Sequence, residues 1–179
     1  MDVHPDTILR ITRLREGGNV TRCHTVPHHG HYDVAQHSWG VTILLTQLYP
    51  EASGRLLRAA LTHDVEERWT GDVPAFCKWA HQKVRDGLEE AEDCIRSLVG
   101  LEGKLGLDEV ERMWLKAADL LDLWLWCHDQ RAMGNRNVEP LMSNIARWFA
   151  ENQHQVPERA MAFYRQYIWQ RTGDFLEAR

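Results

Sequence analysis

The sequence contains no CxxC pair: its four cysteines, Cys23, Cys77, Cys94 and Cys127, lie far apart, which excludes a structural zinc knuckle and a dithiol redox motif. They read as reduced, mostly buried thiols. A basic excess is also missing. The net charge of −5 and pI near 6.0 exclude the broad cationic surface that a nucleic-acid polymer requires, leaving room only for a local cationic spot suited to a small phosphorylated partner. Long apolar runs are absent too. The longest, Met113 to Cys127, is too short for a bilayer and contains Lys116, Asp119 and Asp122, so no membrane association is expected. The opening residues MDVHPDTILR lack the basic and then apolar tract of a secretory signal, which makes the cytoplasm the expected location. No low-complexity tract, internal repeat or convincing period-two alternation occurs. For 179 residues, these absences leave one all-α domain spanning 1–179 as the expectation.

What the sequence does contain is helical punctuation. Ile8, Leu9, Ile11 and Leu14 give a first helix over about Asp6–Arg15, ended by Gly17-Gly18. Residues 19–33 hold Pro, Gly and clustered histidines without apolar periodicity, so they form a long loop of the kind that often carries function. Val34–Leu48 is apolar on most sides and stops before Pro50, and Ser53 caps a third helix running to about Trp69. A turn at Gly71 and Pro74 precedes an amphipathic helix over His81–Val99. Asp108 opens a long helix through Ala132, and Val138–Asn152 and Pro157–Thr172 complete a bundle of six to seven helices.

His63-Asp64, with Glu67 one turn on, gathers an imidazole and two carboxylates at one helix end, given about 100° of rotation per residue. Such groups are the usual ligands of first-row metals. Alone the pair carries little weight, because His-Asp dipeptides arise by chance. A second signal is Asp119 in KAADLLDLWLWC, since a carboxylate among Leu and Trp is costly unless it is paired or holds a metal. An ion pair with Lys116 or an arginine would serve equally, and Asp122, one turn later, is a rival ligand. The residues themselves leave that choice open.

His37 in AQHSWGV, His63-Asp64 in LTHDVEERWTGD and Asp119 in KAAD follow the order H…HD…D, and the chain resembles the HD-domain phosphohydrolase superfamily. More narrowly, HD-x-x-E-x-x-T-G-D-x-P-x-x-x-K, within a stretch from about Arg22 to Gly134, is similar to the YfbR-like 5′-deoxynucleotidases and their phage relatives. The resemblance implies an HD-domain helical bundle that binds a divalent transition metal (zinc, cobalt or manganese) through His37, His63, Asp64 and Asp119. It favours the KxAD aspartate, Asp119, over Asp122. It further implies that Glu67 and Asp72 are catalytic carboxylates and that Arg22 and Lys78 hold phosphate. The residue after that arginine is a tryptophan in the bacterial enzymes, where it helps select deoxyribose, but it is Cys23 in this chain. The tract RCHT is instead similar to a phage subgroup that includes the DatZ dATP triphosphohydrolases. Cys23, His24 and Thr25 are then expected at the nucleoside pocket, whereas His28, His29 and His31 read as exposed loop histidines.

The implied reaction is attack of water on the α-phosphorus of a deoxynucleotide, with dATP giving deoxynucleoside and triphosphate. The same chemistry on a monophosphate would make the chain a 5′-deoxynucleotidase. Lys78, Lys83 and Arg85 are candidates for the charge a longer phosphate needs. Two further alternatives are a nucleotide-sensing module without turnover and a cyclic-nucleotide phosphodiesterase. Eight tryptophans and apolar late helices point to a self-association surface, hence a homo-oligomer.

Overall fold

The computed structural model describes the backbone of residues 3–101 and 103–177, and the side chains of these except 75, 76, 79, 103, 104 and 168–177. Among the described residues every regular element is helical, apart from a single antiparallel bridge between Thr21 and Asp33. The helices are α1 (Pro5–Gly17), α2 (Val34–Leu48), α3 (Gly54–Thr62), α4 (Glu67–Thr70), α5 (Ala75–Ala80), α6 (Gln82–Leu98), α7 (Glu109–Ala132), α8 (Glu139–Glu151) and α9 (Glu158–Glu177). Seven of them are nine residues or longer, as the apolar spacing foretold.

The helix starts follow from local chemistry. Asp33 accepts from Gln36 N–H at 2.7 Å to open α2, and Ser53 accepts from Leu56 N–H at 3.0 Å to open α3. Asp108 and Glu111 form a reciprocal capping box at α7. Glu111 does more than cap: its carboxylate also accepts from Ser53 Oγ–H at 2.5 Å and Arg55 at 2.6 Å, tying the start of α7 to the start of α3.

The core lies where α2, α3 and α7 meet, filled by Val41, Leu45, Leu56, Ala60, Ala117 and Leu121, and it continues to Phe149 of α8 and Tyr164 of α9. Small residues at Ala59, Ala60, Ala117 and Ala118 let these helices approach closely. The loop of residues 18–33 packs on the far end of α7. Gln130 accepts from His29 N–H and donates to His29 O, each at 2.8 Å, and Asn135 donates to Pro27 O at 2.9 Å. The loop is ordered both by these hydrogen bonds to its backbone and by burial of Tyr32, with Cys23 and Val26 beside it, against Trp126, Cys127, Val138 and Met142.

Two expectations need correction. The third helix does not run to Trp69: α3 ends at Thr62, and residues 63–66 form turns before the short α4. The break has a distant cause. Arg96, buried on α6, donates to the carbonyl of Thr62 at 2.8 Å and pairs with Glu66 at 3.2 Å, so the carbonyl that would continue the helix is engaged elsewhere. In addition, the segment read as a turn after Pro74 contains the short helix α5.

Candidate metal centre and cavity

The break after Thr62 takes His63 and Asp64 off the axis of α3 and turns them towards α2 and α7. His37 is fully buried on the first turns of α2, and Asp119 projects from the middle of α7. One donor atom each from His37, His63 and Asp119 lies within 4.8 Å of the others, a spacing that could hold a metal ion. Asp64 belongs to the same cluster, with Oδ2 at 3.4 Å from His63 Nε2 and 3.6 Å from His37 Nε2. His37 Nε2 lies 3.2 Å from Asp119 Oδ1.

The outer ring nitrogens decide what the inner ones offer. His63 Nδ1–H donates to the carbonyl of Ala60 at 2.8 Å, a partner that can only accept, and His37 Nδ1–H donates to Asp122 at 2.7 Å. In the neutral rings both Nε2 atoms then carry lone pairs, and they face each other at 3.1 Å. Only a cation between or beside them makes that approach favourable. Burial would lower the His37 pKa, but hydrogen bonds to Asp119 and Asp122 raise it. Burial holds His63 neutral by lowering its pKa. Burial opposes ionisation of Asp64, yet His63 and Arg22 draw it down to about 2, and Lys116 and His37 likewise hold Asp119 well below the usual carboxylate range. Two imidazoles and two carboxylates in ligand form fit a divalent transition metal.

Asp122 was the rival ligand, and its position explains why it is not one of the converging donors. It lies behind His37, accepting from both His37 Nδ1–H and the Tyr32 hydroxyl, the latter at 2.9 Å. Gly40 makes room for it, since a Cβ there would overlap Asp122 Oδ1. This is the place of an outer partner that would orient His37 towards a metal. Tyr32 is itself stacked on Trp126 with ring centres 4.7 Å apart.

A cavity of about 450 Å³ opens beside the cluster. Arg22, Asp64, Glu67, Asp72, Lys78 and Lys116 line its charged end. Arg22 is buried and bonds to Asp64 Oδ2, while its Nε has no partner among the described protein atoms. Glu67 is buried with Oε2 unpartnered, and burial together with the charge of Asp64 pushes its carboxyl up to about 9. Asp72 accepts from Cys23 N–H at 2.7 Å, which holds Cys23 at a left-handed φ of 53° beside Arg22. Lys116, weighed above as a mere ion-pair partner, bonds Asp119 at 2.8 Å and also lines the cavity. Residues expected at the nucleoside pocket divide: Cys23 and Thr25 line the cavity, but His24 does not, being half exposed with Nδ1 3.7 Å from Asp72. Lys83 and Arg85 are exposed on α6, away from the described walls. His28 is engaged by Val26 O and by the edge of Trp126, and His31 pairs with Asp33, so the loop histidines form no cluster of their own. The cavity also has an apolar wall that sequence reasoning missed: Leu120 and Leu123 of α7 line it together with Leu141, Ile145 and Trp148 of α8. Those α8 residues fall at helical spacing, a pattern that reads as ordinary core until the cavity is seen.

An all-helical bundle carrying His and Asp donors on three segments defines a metal-site hydrolase architecture. A family model described as HD domain matches residues 19–124, and the chain belongs to that family, whose chemistry is metal-dependent hydrolysis. Solved structures agree in fold. An HD-domain phosphohydrolase from Listeria innocua is similar at a TM-score of 0.71 and 21% identity, with 92% of this chain and 88% of that one covered. The cyanophage S-2L HD phosphohydrolase DatZ, solved with dA and one catalytic Zn2+ ion, is similar at a TM-score of 0.67 and 15% identity, with 90% and 94% covered. A conserved hypothetical protein from Pyrococcus furiosus is similar at a TM-score of 0.60 and 22% identity, with 83% and 97% covered. No curated protein matches the sequence significantly. No helix among the described residues is long and apolar enough to cross a membrane.

Proposed function

We propose that this chain is a deoxynucleotide phosphohydrolase cleaving at the α-phosphate, with dATP as the first substrate to try and deoxynucleoside plus triphosphate as products. The observation that carries the reading is the divided lining of the cavity: metal donors and cations on one part, apolar walls on another, matching a molecule with phosphate at one end and a flat base at the other. DatZ, the similar structure solved with dA, supports it by analogy.

His37, His63, Asp64 and Asp119 hold the metal in this reading. When bound, a divalent cation supplies polarisation of a phosphate oxygen and of water. Arg22, through its unpartnered Nε, and Lys78 bind the phosphate oxygens and neutralise charge that grows during displacement. Glu67, buried with Oε2 unpartnered, is placed to exchange a proton with the attacking water; burial and Asp64 push its carboxyl up to about 9, so it accepts that proton only once the positive charge of Arg22, Lys78 and the bound cation has drawn it into the ionised form. Asp72 fixes the Cys23 backbone and so the presentation of Arg22. The buried walls around Glu67 exclude bulk water.

A second reading, 5′-deoxynucleotidase on monophosphates, rests on a specific observation. Of the described cavity cations, Arg22 is committed to Asp64 and Lys116 to Asp119, and Lys78 alone lacks a carboxylate partner in an ion pair. One surplus lysine suits one phosphate better than three. The same assay separates the two: deoxynucleoside mono- and triphosphates are incubated with zinc, cobalt or manganese, and phosphate and triphosphate release is measured. Triphosphate release supports the first reading and phosphate from monophosphates the second. No turnover with nucleotide still bound would make the chain a sensor and overturn both. The single domain over 1–179 and the self-association of that domain remain part of the proposal; the exposed Trp39 and Ile43, one turn apart on α2, are the apolar surface such an assembly would use.

A further inference from the structure

The apolar wall of the cavity contains one polar exception. Leu141, Asn144, Ile145 and Trp148 follow one another at i, i+3, i+4 and i+7 along α8, so they form a single stripe facing Leu120 and Leu123 of α7. Three of the four could serve as core residues in any bundle. Asn144 is the exception, a carboxamide set in an otherwise hydrophobic stripe, with a donor and an acceptor to offer. It is half-buried, lines the cavity, and has no hydrogen-bond partner among the described residues. By contrast, the buried amides of Gln130 and Asn135 are bonded to backbone and to each other. Asn144 thus presents an uncommitted donor and acceptor to whatever enters the cavity.

Resting on the nucleotide reading above, we infer that Asn144 is the residue that reads the nucleobase, its carboxamide pairing with a base edge while Trp148 and Leu123 bound the ring faces. The chemistry fits a flat heterocycle. A carboxamide offers a donor beside an acceptor, which is what the edge of adenine presents through its amino group and ring nitrogen. A carboxylate at the same place accepts only. It would pair instead with two adjacent donors, as guanine provides on its Watson–Crick edge.

The test measures kcat/KM of the zinc-, cobalt- or manganese-loaded enzyme on all four deoxynucleotides, in the wild type, Asn144→Leu and Asn144→Asp. A leucine suits the apolar stripe, and circular dichroism with metal stoichiometry checks that each variant is folded and loaded. The expected result is a wild-type base preference that shrinks about tenfold or more in Asn144→Leu, chiefly through KM, and that moves towards guanine in Asn144→Asp. Turnover with the same four-base profile in all three proteins overturns the inference while leaving the nucleotide reading intact. Neither turnover nor binding of any nucleotide by the wild type overturns both.

Discussion

Asp122 accepts a 2.7 Å hydrogen bond from Nδ1–H of His37, and so determines which nitrogen of that buried ring faces Asp119 and His63. An aspartate one turn from Asp119 thus orients a histidine of another helix that faces the candidate metal site. Asp119→Ala should leave the protein folded with no stoichiometric metal. Asp122→Asn should keep a full equivalent of metal but bind it about 10–100-fold more weakly, because the ring loses its anionic anchor. Elemental analysis and competition against a chromogenic chelator measure both, and the reverse ranking would reassign the ligand.

Gly40 should tolerate no side chain. A Cβ on this face of α2 overlaps the Asp122 carboxylate, which sits between two packed helices and cannot move without unseating His37. Gly40→Ala improves helix propensity, yet the expected outcome is a loss of about 1–3 kcal/mol from overpacking. It should also weaken metal binding in the manner of Asp122→Asn. Urea unfolding of the chelated protein measures the first effect and chelator competition the second. A gain in stability, as propensity alone would give, would show that the carboxylate has another place to go.

Much of this arrangement is legible in the sequence because its causes are local. Asp33, Ser53 and Asp108 announce their helices through hydrogen bonds to residues three positions on. The order H…HD…D includes the three donors that converge, His37, His63 and Asp119, with Asp64 beside them and bonded to Arg22. What escapes the sequence depends on distant partners. The end of α3 at Thr62 is enforced by Arg96, 34 residues away, and nothing in LTHDVEERW announces it. The roles of Asp119 and Asp122 differ because each meets a different nitrogen of His37: Nε2 faces Asp119, which Lys116 also bonds, whereas Nδ1–H is bonded to Asp122, which Tyr32 also holds. The stripe on α8 looks like core because its partner is a space.

Glu111 links the starts of α3 and α7, and its contribution should depend on pH. Hydrogen bonds from Ser53 and Arg55 hold its carboxyl below the ordinary 4.5. A depressed carboxyl stabilises the fold above its unfolded pKa and loses that effect as pH falls through the folded value. Glu111→Gln should therefore lower stability by about 1 kcal/mol at neutral pH, the usual cost of a lost helix cap. The gap between the two urea midpoints should narrow steadily below pH 4.5. A gap independent of pH would mean that shape, not charge, joins the two helices.

Glu67 separates function from stability most sharply. It is buried, Oε2 has no partner, and burial beside Asp64 pushes its carboxyl up to about 9. A raised folded pKa means the residue costs the fold nothing below 4.5 and an increasing amount as pH rises towards 9. In the chelated protein at pH 8, Glu67→Gln removes that ionisable group without changing its size, so the variant should be more stable by about 0.5–2 kcal/mol. The same substitution removes the proposed proton acceptor, and kcat should fall about 100-fold or more with KM little changed. A residue kept only for packing would lose stability and activity together. Opposite signs in thermal unfolding and in turnover would therefore mark Glu67 as retained for chemistry, and a stability loss in Glu67→Gln would remove it from that role.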